Sequence, residues 1–443
     1  VIMQPVHVSA NRRFLVQEDG TPFFWLGDTA WELFHRCTRE EAELYLENRR
    51  RKGFTVIQAV ALAEFDGLRA PNAYGDLPLL DEDPTRPNEA YFAHVDFIVR
   101  RAAEKDLYIG LLPTWGDKVI PIWGKGPAIF DARNARVYGR WLGERYRNQP
   151  NIIWILGGDR PPFYRDRDFA PIWRALAAGI REGVNGHTLM TYHPVGGTSS
   201  SVFHDDDWLS LNMWQSGHAD PDTANWAMIA QDYARTPIKP VLDGEPCYED
   251  HPVNPYTRQW KPEYGYFDDY PVRKRAYWAV LAGACGHTYG NHSIWQMYDE
   301  RREPVTFPRI TWREALDRPG AAHMIHLRRL VLSRPYLTRI PDPGLLASGA
   351  GEGGRHVQAA RDADGSYALI YIPSASRTVE VDTAVLTGER LNVTWYDPRT
   401  GEATAAGDIA RGKVCAFTTP ASGPDWVLVL DDAARGFGPP GQG

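Results

Sequence analysis

Between about residues 22 and 334, short β-rich runs alternate with amphipathic helical stretches, and few folds accept that order. The candidate strands are Phe23–Gly27, Thr55–Val60, Tyr108–Leu112, Ile152–Leu156, Thr188–Tyr192, Leu209–Met213, Val241–Gly244 and His287–Gly290. The helical stretches among them include Arg39–Lys52, Tyr91–Lys105, Ala132–Tyr146, Phe169–Glu182 and Val272–Ala282. A strand followed by a helix that crosses back produces parallel strands with helices on their outer face. Eight such units close into a (β/α)8 barrel, an α/β fold.

The last helix, about Ala321–Ser333, stops at Arg334-Pro335, and Pro341-Asp342-Pro343-Gly344 reads as a linker or turn. Beyond it the apolar period drops to two. His356–Arg361, Tyr367–Tyr371, Thr378–Val381, Leu391–Tyr396, Val414–Thr418 and Trp426–Leu430 are separated by turns such as Asp364-Gly365 and Thr400-Gly401, the pattern of a small antiparallel β-sandwich. The expected organisation is a barrel over 1–340 with a short N-terminal β segment, a β-sandwich accessory domain over 341–435, and a frayed tail over 436–443.

Composition excludes several classes of partner. The net charge of −7 comes with no long run of either sign, which speaks against a nucleic-acid groove or an anionic membrane surface. No stretch approaches the roughly 20 apolar residues of a membrane helix. Cys37, Cys247, Cys285 and Cys415 are scattered without CxxC or zinc-like spacing, and read as isolated thiols. The start, Val1-Ile2-Met3-Gln4-Pro5, lacks a basic region followed by an apolar run. That fits a cytoplasmic protein, with a removed signal peptide as the alternative. There is no HExxH and no P-loop. Gly351-Glu352-Gly353-Gly354 falls between strands, and Gly283-Ala284-Cys285-Gly286-His287 runs helix to strand, the reverse of a nucleophile elbow. No metal or cofactor is expected.

Reactive groups of such a barrel sit at the C-terminal ends of its strands. The first strand ends in Asp28 and Trp31, the third in Trp115 and Asp117, the fifth in His193, the sixth in Trp214 and Gln215, and the eighth in Tyr289 and Asn291, with Trp295 close behind. Carboxylate, imidazole, amide and indole on one face make a pocket for a carbohydrate, whose hydroxyls need donors and acceptors and whose ring faces need stacking. Asp28 and Asp117 have helix capping as the competing explanation.

Two further carboxylates stand out by strand. Along Ile153, Ile155, Gly157 and Asp159, and along Val241, Asp243 and Glu245, alternation puts Asp159 and Glu245 at the mouth on opposite sides, with Asp243 one layer deeper. Such a pair can protonate a glycosidic oxygen from one side and attack the anomeric carbon from the other. Gly157-Gly158 and Gly244 are expected to leave room for a sugar ring.

These residues also carry a resemblance. Phe24-Trp25-Leu26-Gly27-Asp28-Thr29-Ala30-Trp31 within Asn11–His35, the segment Arg50–Ala61, Trp154-Ile155-Leu156-Gly157-Gly158-Asp159 and Asp243-Gly244-Glu245-Pro246 resemble the apiosidase-like glycoside hydrolases, family 140. The C-terminal part resembles the collagen-binding-type β-domain found in such chains. The resemblance implies a retaining hydrolase with Asp159 as acid/base and Glu245 as nucleophile, acting on β-D-apiofuranosides of pectin side chains or small plant glycosides. Another exo-acting furanosidase, such as an arabinofuranosidase, or a non-catalytic carbohydrate-binding barrel, are the alternatives. Strand four ends Gly-Asp where the wider clan has Asn-Glu, so sugar recognition cannot be carried over from that clan.

Overall fold

The computed structural model describes residues 3–442, so Val1 and Ile2 of the N-terminal motif and Gly443 of the tail lie outside the described residues. The eight barrel strands are β1 Trp25–Thr29, β2 Val56–Leu62, β3 Tyr108–Thr114, β4 Ile152–Gly157, β5 Met190–His193, β6 Asn212–Gln215, β7 Val241–Asp243 and β8 Gly286–Tyr289. They pair in parallel in the order β5-β4-β3-β2-β1-β8, and β6 pairs in parallel with β7. Backbone hydrogen bonds close the ring between these groups. Ser210 N donates to Met190 O at 2.8 Å across β5 and β6, and Cys285 N donates to Val241 O at 2.9 Å across β7 and β8.

All seven residues of β2 and all seven of β3 are buried, because helices cover the outside and side chains fill the inside. Period two sorts them. Val56, Val60, Leu112, Ile153, Ile155 and Leu242 share one cluster, while Ile57, Ala59, Leu111, Trp154 and Leu156 pack with the helices. Those helices are α1 Arg39–Arg51, α2 Glu89–Ala103, α3 Ala132–Tyr146, α4 Ala170–Val184, α5 Asn225–Tyr233, α6 Asp269–Leu281 and α7 Pro319–Leu332, beside several shorter turns. α1 begins at a capping box between Thr38 and Glu41. The alternation in the sequence did not reveal α5. Its buried residues are Asn225, Ile229 and Asp232, two of them polar, so no apolar period marks it.

The C-terminal strands are β9 Arg339–Pro341, β10 Leu346–Ser348, β11 Gln358–Asp362, β12 Tyr367–Ile372, β13 Thr378–Asp382, β14 Arg390–Tyr396, β15 Ala403–Ala410, β16 Val414–Thr418 and β17 Trp426–Asp432. They form an antiparallel sheet of order β9-β11-β12-β17-β14-β15 facing a smaller one of order β10-β13-β16. The segment expected as a linker starts inside this sheet, since Arg339–Pro341 pairs with Ala360–Asp362. The central strands of the large sheet, β12 and β17, are buried on both faces. Ile370, Ile372, Leu428 and Leu430 fill the sandwich, whereas Tyr367, Leu369, Tyr371, Val427 and Val429 pack on barrel residues including Tyr277 and Trp278. Two bidentate ion pairs pin the contact: Arg273 with Asp425 and Arg334 with Asp431. The tail expected to fray is docked. Gly441 N donates to Ser333 Oγ at 3.0 Å, Arg334 donates to Gly438 O at 2.9 Å, and Phe437 lies under the Arg334 guanidinium.

Candidate active site

A cavity of about 410 Å³ opens at the C-terminal ends of the barrel strands. Asp159 and Glu245 both line it, together with Trp31, Trp115, Gln215 and Trp295. A second hollow of about 330 Å³, lined by Val6, Trp154, Leu189 and their neighbours at the opposite end, has no carboxylate in its wall.

Asp159 does not get there by strand alternation. β4 ends at Gly157, and three successive residues take positive φ: Gly157 at 86°, Gly158 at 123° and Asp159 at 61°. The glycines serve the backbone rather than a sugar ring. A Cβ on Gly157 would stand 2.2 Å from His193 O, and one on Gly158 would stand 2.6 Å from Gly116 N. On β7, Leu242 faces the interior, and Asp243 turns outward to accept from Ser216 Oγ at 2.5 Å and from Asn225 Nδ2 of α5 at 3.2 Å. Asp243 is therefore a bound structural carboxylate beside the barrel, not a deeper layer of the pocket. A Cβ on Gly244 would meet Met213 Sδ at 2.3 Å, so this glycine too yields to a protein neighbour.

The two cavity carboxyls have contrasting surroundings. Glu245 is 7% exposed, with His218 Nε2 at 3.0 Å from Oε1 and His193 Nε2 at 2.8 Å from Oε2. His218 Nδ1 accepts from the backbone N–H of Tyr248 at 3.3 Å, which leaves the proton on Nε2, aimed at the carboxylate. Burial pushes Glu245 up, yet the two imidazoles outweigh it and hold the carboxyl well below the usual range. Asp159 shifts the other way. Burial raises it and the nearby charge of Glu245 adds to that, while Arg160 Nη1 at 3.2 Å and Gln215 Nε2 at 3.0 Å pull back without reversing it. The two carboxyls are thus biased in opposite directions, Asp159 toward the protonated form and Glu245 toward the carboxylate.

His193 is fully buried beneath Trp31, with ring centroids 5.1 Å apart, so it bears on Glu245 from below rather than from the cavity wall. Five expected pocket residues are turned elsewhere. Asp28 lies on the outer side of β1, where its Oδ2 accepts from Arg49 Nε and Tyr45 Oη, both at 2.6 Å. Asp117 anchors its own loop, accepting from Gly126 N at 2.9 Å and lying 2.8 Å from Lys118 Nζ. Trp214 points away from the barrel interior and packs with Ile229, Val241 and Ala279. Tyr289 donates to Glu249 at 2.6 Å, and Asn291 donates to Asp250 at 2.9 Å and caps the turn at Ser293. All five are buried and none of them lines the cavity, which removes them from the ligand surface.

Other wall residues escaped the sequence reading. Glu64 follows β2 by two positions, so the strand-end criterion applied to that strand would have found it. His218 and Tyr248 each stand three residues beyond a strand-end residue already singled out, Gln215 and Glu245. Trp123, Tyr256 and Trp260 come from loops, where no periodicity marks them. Among the described residues, no group of three or more His, Cys, Asp or Glu is placed to hold a metal ion, and no helix is long and apolar enough to cross a membrane.

Residues 9–338 match the family model described as "Apiosidase-like, catalytic domain", and residues 340–431 match "Putative collagen-binding domain of a collagenase". The chain is 34% identical to a solved structure titled "Glycoside hydrolase", with a TM-score of 0.89 and 98% of each chain covered. It is 33% identical to a glycoside hydrolase family 5 structure from Bacteroides vulgatus ATCC 8482, with a TM-score of 0.88, covering 98% of this chain and 94% of that one. No curated protein sequence matches the chain.

Proposed function

Because the chain belongs to the apiosidase-like glycoside hydrolases, we propose that it cleaves β-D-apiofuranosyl linkages with retention, Asp159 acting as general acid/base and Glu245 as nucleophile. The observation that carries this reading is the opposite bias of two carboxyls on one cavity: Asp159 raised, Glu245 lowered. Asp159 gives its proton to the glycosidic oxygen as the bond to the anomeric carbon breaks, and Glu245 forms an ester to that carbon. Asp159, now a carboxylate, takes a proton from water, the water oxygen attacks the same carbon, and Glu245 leaves as a carboxylate.

The surrounding groups favour this division of labour. His218 hydrogen-bonds Oε1 of Glu245, His193 Nε2 stands 2.8 Å from Oε2, and both imidazoles favour the ionised carboxylate. Gln215 orients Asp159. The indoles of Trp31, Trp115 and Trp295 offer apolar wall to the C–H faces of a sugar. The large sheet of the C-terminal domain covers barrel surface with its outer face, which supports a bracing role for that domain rather than collagen binding. The substrate class rests on membership of the apiosidase-like family.

The test uses an aryl β-D-apiofuranoside with a good leaving group. Glu245→Ala should abolish turnover, and azide should restore cleavage and give a glycosyl azide of inverted configuration. Asp159→Ala should still form the glycosyl-enzyme, which accumulates for want of a base. Proton NMR of the first product should show retained configuration. An inverted first product would recast Glu245 as a base that activates water.

A further inference from the structure

The cavity wall carries a third carboxyl group, and its circumstances differ from those of every other enclosed acid nearby. Glu32 is paired with His35, Glu249 accepts from Tyr289 Oη and Gly320 N, and Asp243 is held by Ser216 and Asn225. Glu64 lines the cavity half-buried, and among the described residues its carboxyl makes no hydrogen bond or ion pair. Its backbone is fixed by contrast. The buried Lys118 ammonium donates to Ala63 O and stands 3.4 Å from Glu64 O, and Phe65 N donates to Glu32 at 3.4 Å. The fold thus holds rigidly a residue whose side chain it leaves unengaged.

The nearby cation that bears on its charge, Arg160, has other partners. Arg160 donates to the Asp159 carboxylate and to the backbone oxygens of Asp159, Ile122 and Trp123, and its guanidinium lies 4.3 Å from the centre of the Trp123 ring. We propose that Glu64 is a substrate-binding residue whose carboxyl donates a hydrogen bond to a hydroxyl of the bound glycoside. The inference rests on reading this cavity as a sugar site, and it adds a polar contact that the family's acid and nucleophile do not supply.

The groups that face Glu64 explain why it can donate. Burial comes first and raises it, Arg160 pulls it down, and the carboxyls of Asp159, Asp117 and Glu32 push it up again; Lys118 is engaged by Ala63 O and Asp117. The balance carries Glu64 up to about 8, so near neutral pH it holds its proton. A carboxylic acid offers one donor and one acceptor, the complement of an alcohol. Above that pH the added negative charge beside Asp159 and Glu245 would remove the donor.

The experiment measures kcat and KM from pH 5 to pH 9 for the full-length wild type, Glu64→Gln and Glu64→Ala, with a nitrophenyl β-D-apiofuranoside. Calorimetric binding of D-apiose to each, in a Glu245→Gln background, is a second readout. Glu64→Ala should raise KM or the apiose Kd by about 10- to 100-fold, the loss of one buried polar partner, with kcat changed much less. Glu64→Gln should recover most of that affinity, because the amide still donates. The ratio of Glu64→Gln to wild-type kcat/KM should rise as pH passes through about 8, since only the wild type can ionise there. Affinity for Glu64→Ala within twofold of wild type at every pH would overturn the proposal while leaving the glycosidase reading intact. So would a glutamine variant no better than alanine. A wild type that neither turns over the apioside nor binds apiose would overturn both together.

Discussion

Asp425→Ala should cost the protein about 4 kcal/mol of stability without touching the cavity. Asp425 is fully buried and accepts from Arg273 Nε at 2.9 Å, Arg273 Nη2 at 2.7 Å and Tyr371 Oη at 3.0 Å. Removing it leaves a guanidinium that is 1% exposed with Asp269 as its remaining carboxylate. Breaking a buried pair from one side costs about 3–5 kcal/mol, and the surviving Asp269 contact places this case near the lower end, about 3 kcal/mol. The orphaned Tyr371 hydroxyl adds about 1 kcal/mol. The double variant Arg273→Met, Asp425→Leu should recover most of the loss, because the expense lies in stranding a charge rather than in losing an attraction. Urea unfolding of the full chain, with kcat measured below the transition, would read both effects. If Asp425→Ala costs less than about 1 kcal/mol, or if the double variant is as unstable as the single one, the ion pair is not what holds the sandwich to the barrel.

Two more outcomes follow from the site. His218→Phe keeps the stack on His251, now 4.0 Å between centroids, but deletes the donor to Glu245; losing a hydrogen bond to a charged group, about 1.5–3 kcal/mol, should lift the Glu245 pKa by about 1–2 units. Since Glu245 must be ionised to attack, the acid limb of kcat/KM on an activated aryl glycoside should move to higher pH by that amount, and an unmoved limb would mean that His193 alone sets the charge. Gly157→Ala should destabilise the fold by at least about 2 kcal/mol in thermal or urea melts and depress kcat as well, because the new methyl meets His193 O at 2.2 Å and the backbone is at φ 86°. A stable, active alanine variant would show that the turn before Asp159 can relax.

The barrel was legible because its strands are buried on both faces and most of its helices on one, so apolar runs and stripes mark the βα units other than those of β5, which is followed only by the short turn Ser200–Phe203, and β6, whose helix is α5. Strand boundaries came within a few residues, and the two cavity carboxyls were reached by asking what ends β4 and β7. Strand alternation is not what places them. Alternation presumes that the strand continues, yet β4 gives way to three left-handed residues and β7 stops at Asp243. What places Asp159 is the approach of β3 and β5 backbones close enough to forbid a Cβ at Gly158 and Gly157, and a glycine pair in a sequence does not say which neighbour it makes room for. The same ambiguity misassigned Asp28, Asp117, Trp214, Tyr289 and Asn291. A polar residue at a strand end can face the cavity, the helix layer or its own loop, and the partner that decides is remote: Arg49 for Asp28, Glu249 for Tyr289, Asp250 for Asn291. Glu64 stands two positions past the end of β2, where the same question reaches it, and it is the cavity acid that no protein partner engages. A sequence shows which side chains can bond, but only the assembled barrel shows which ones are left free to bind something else.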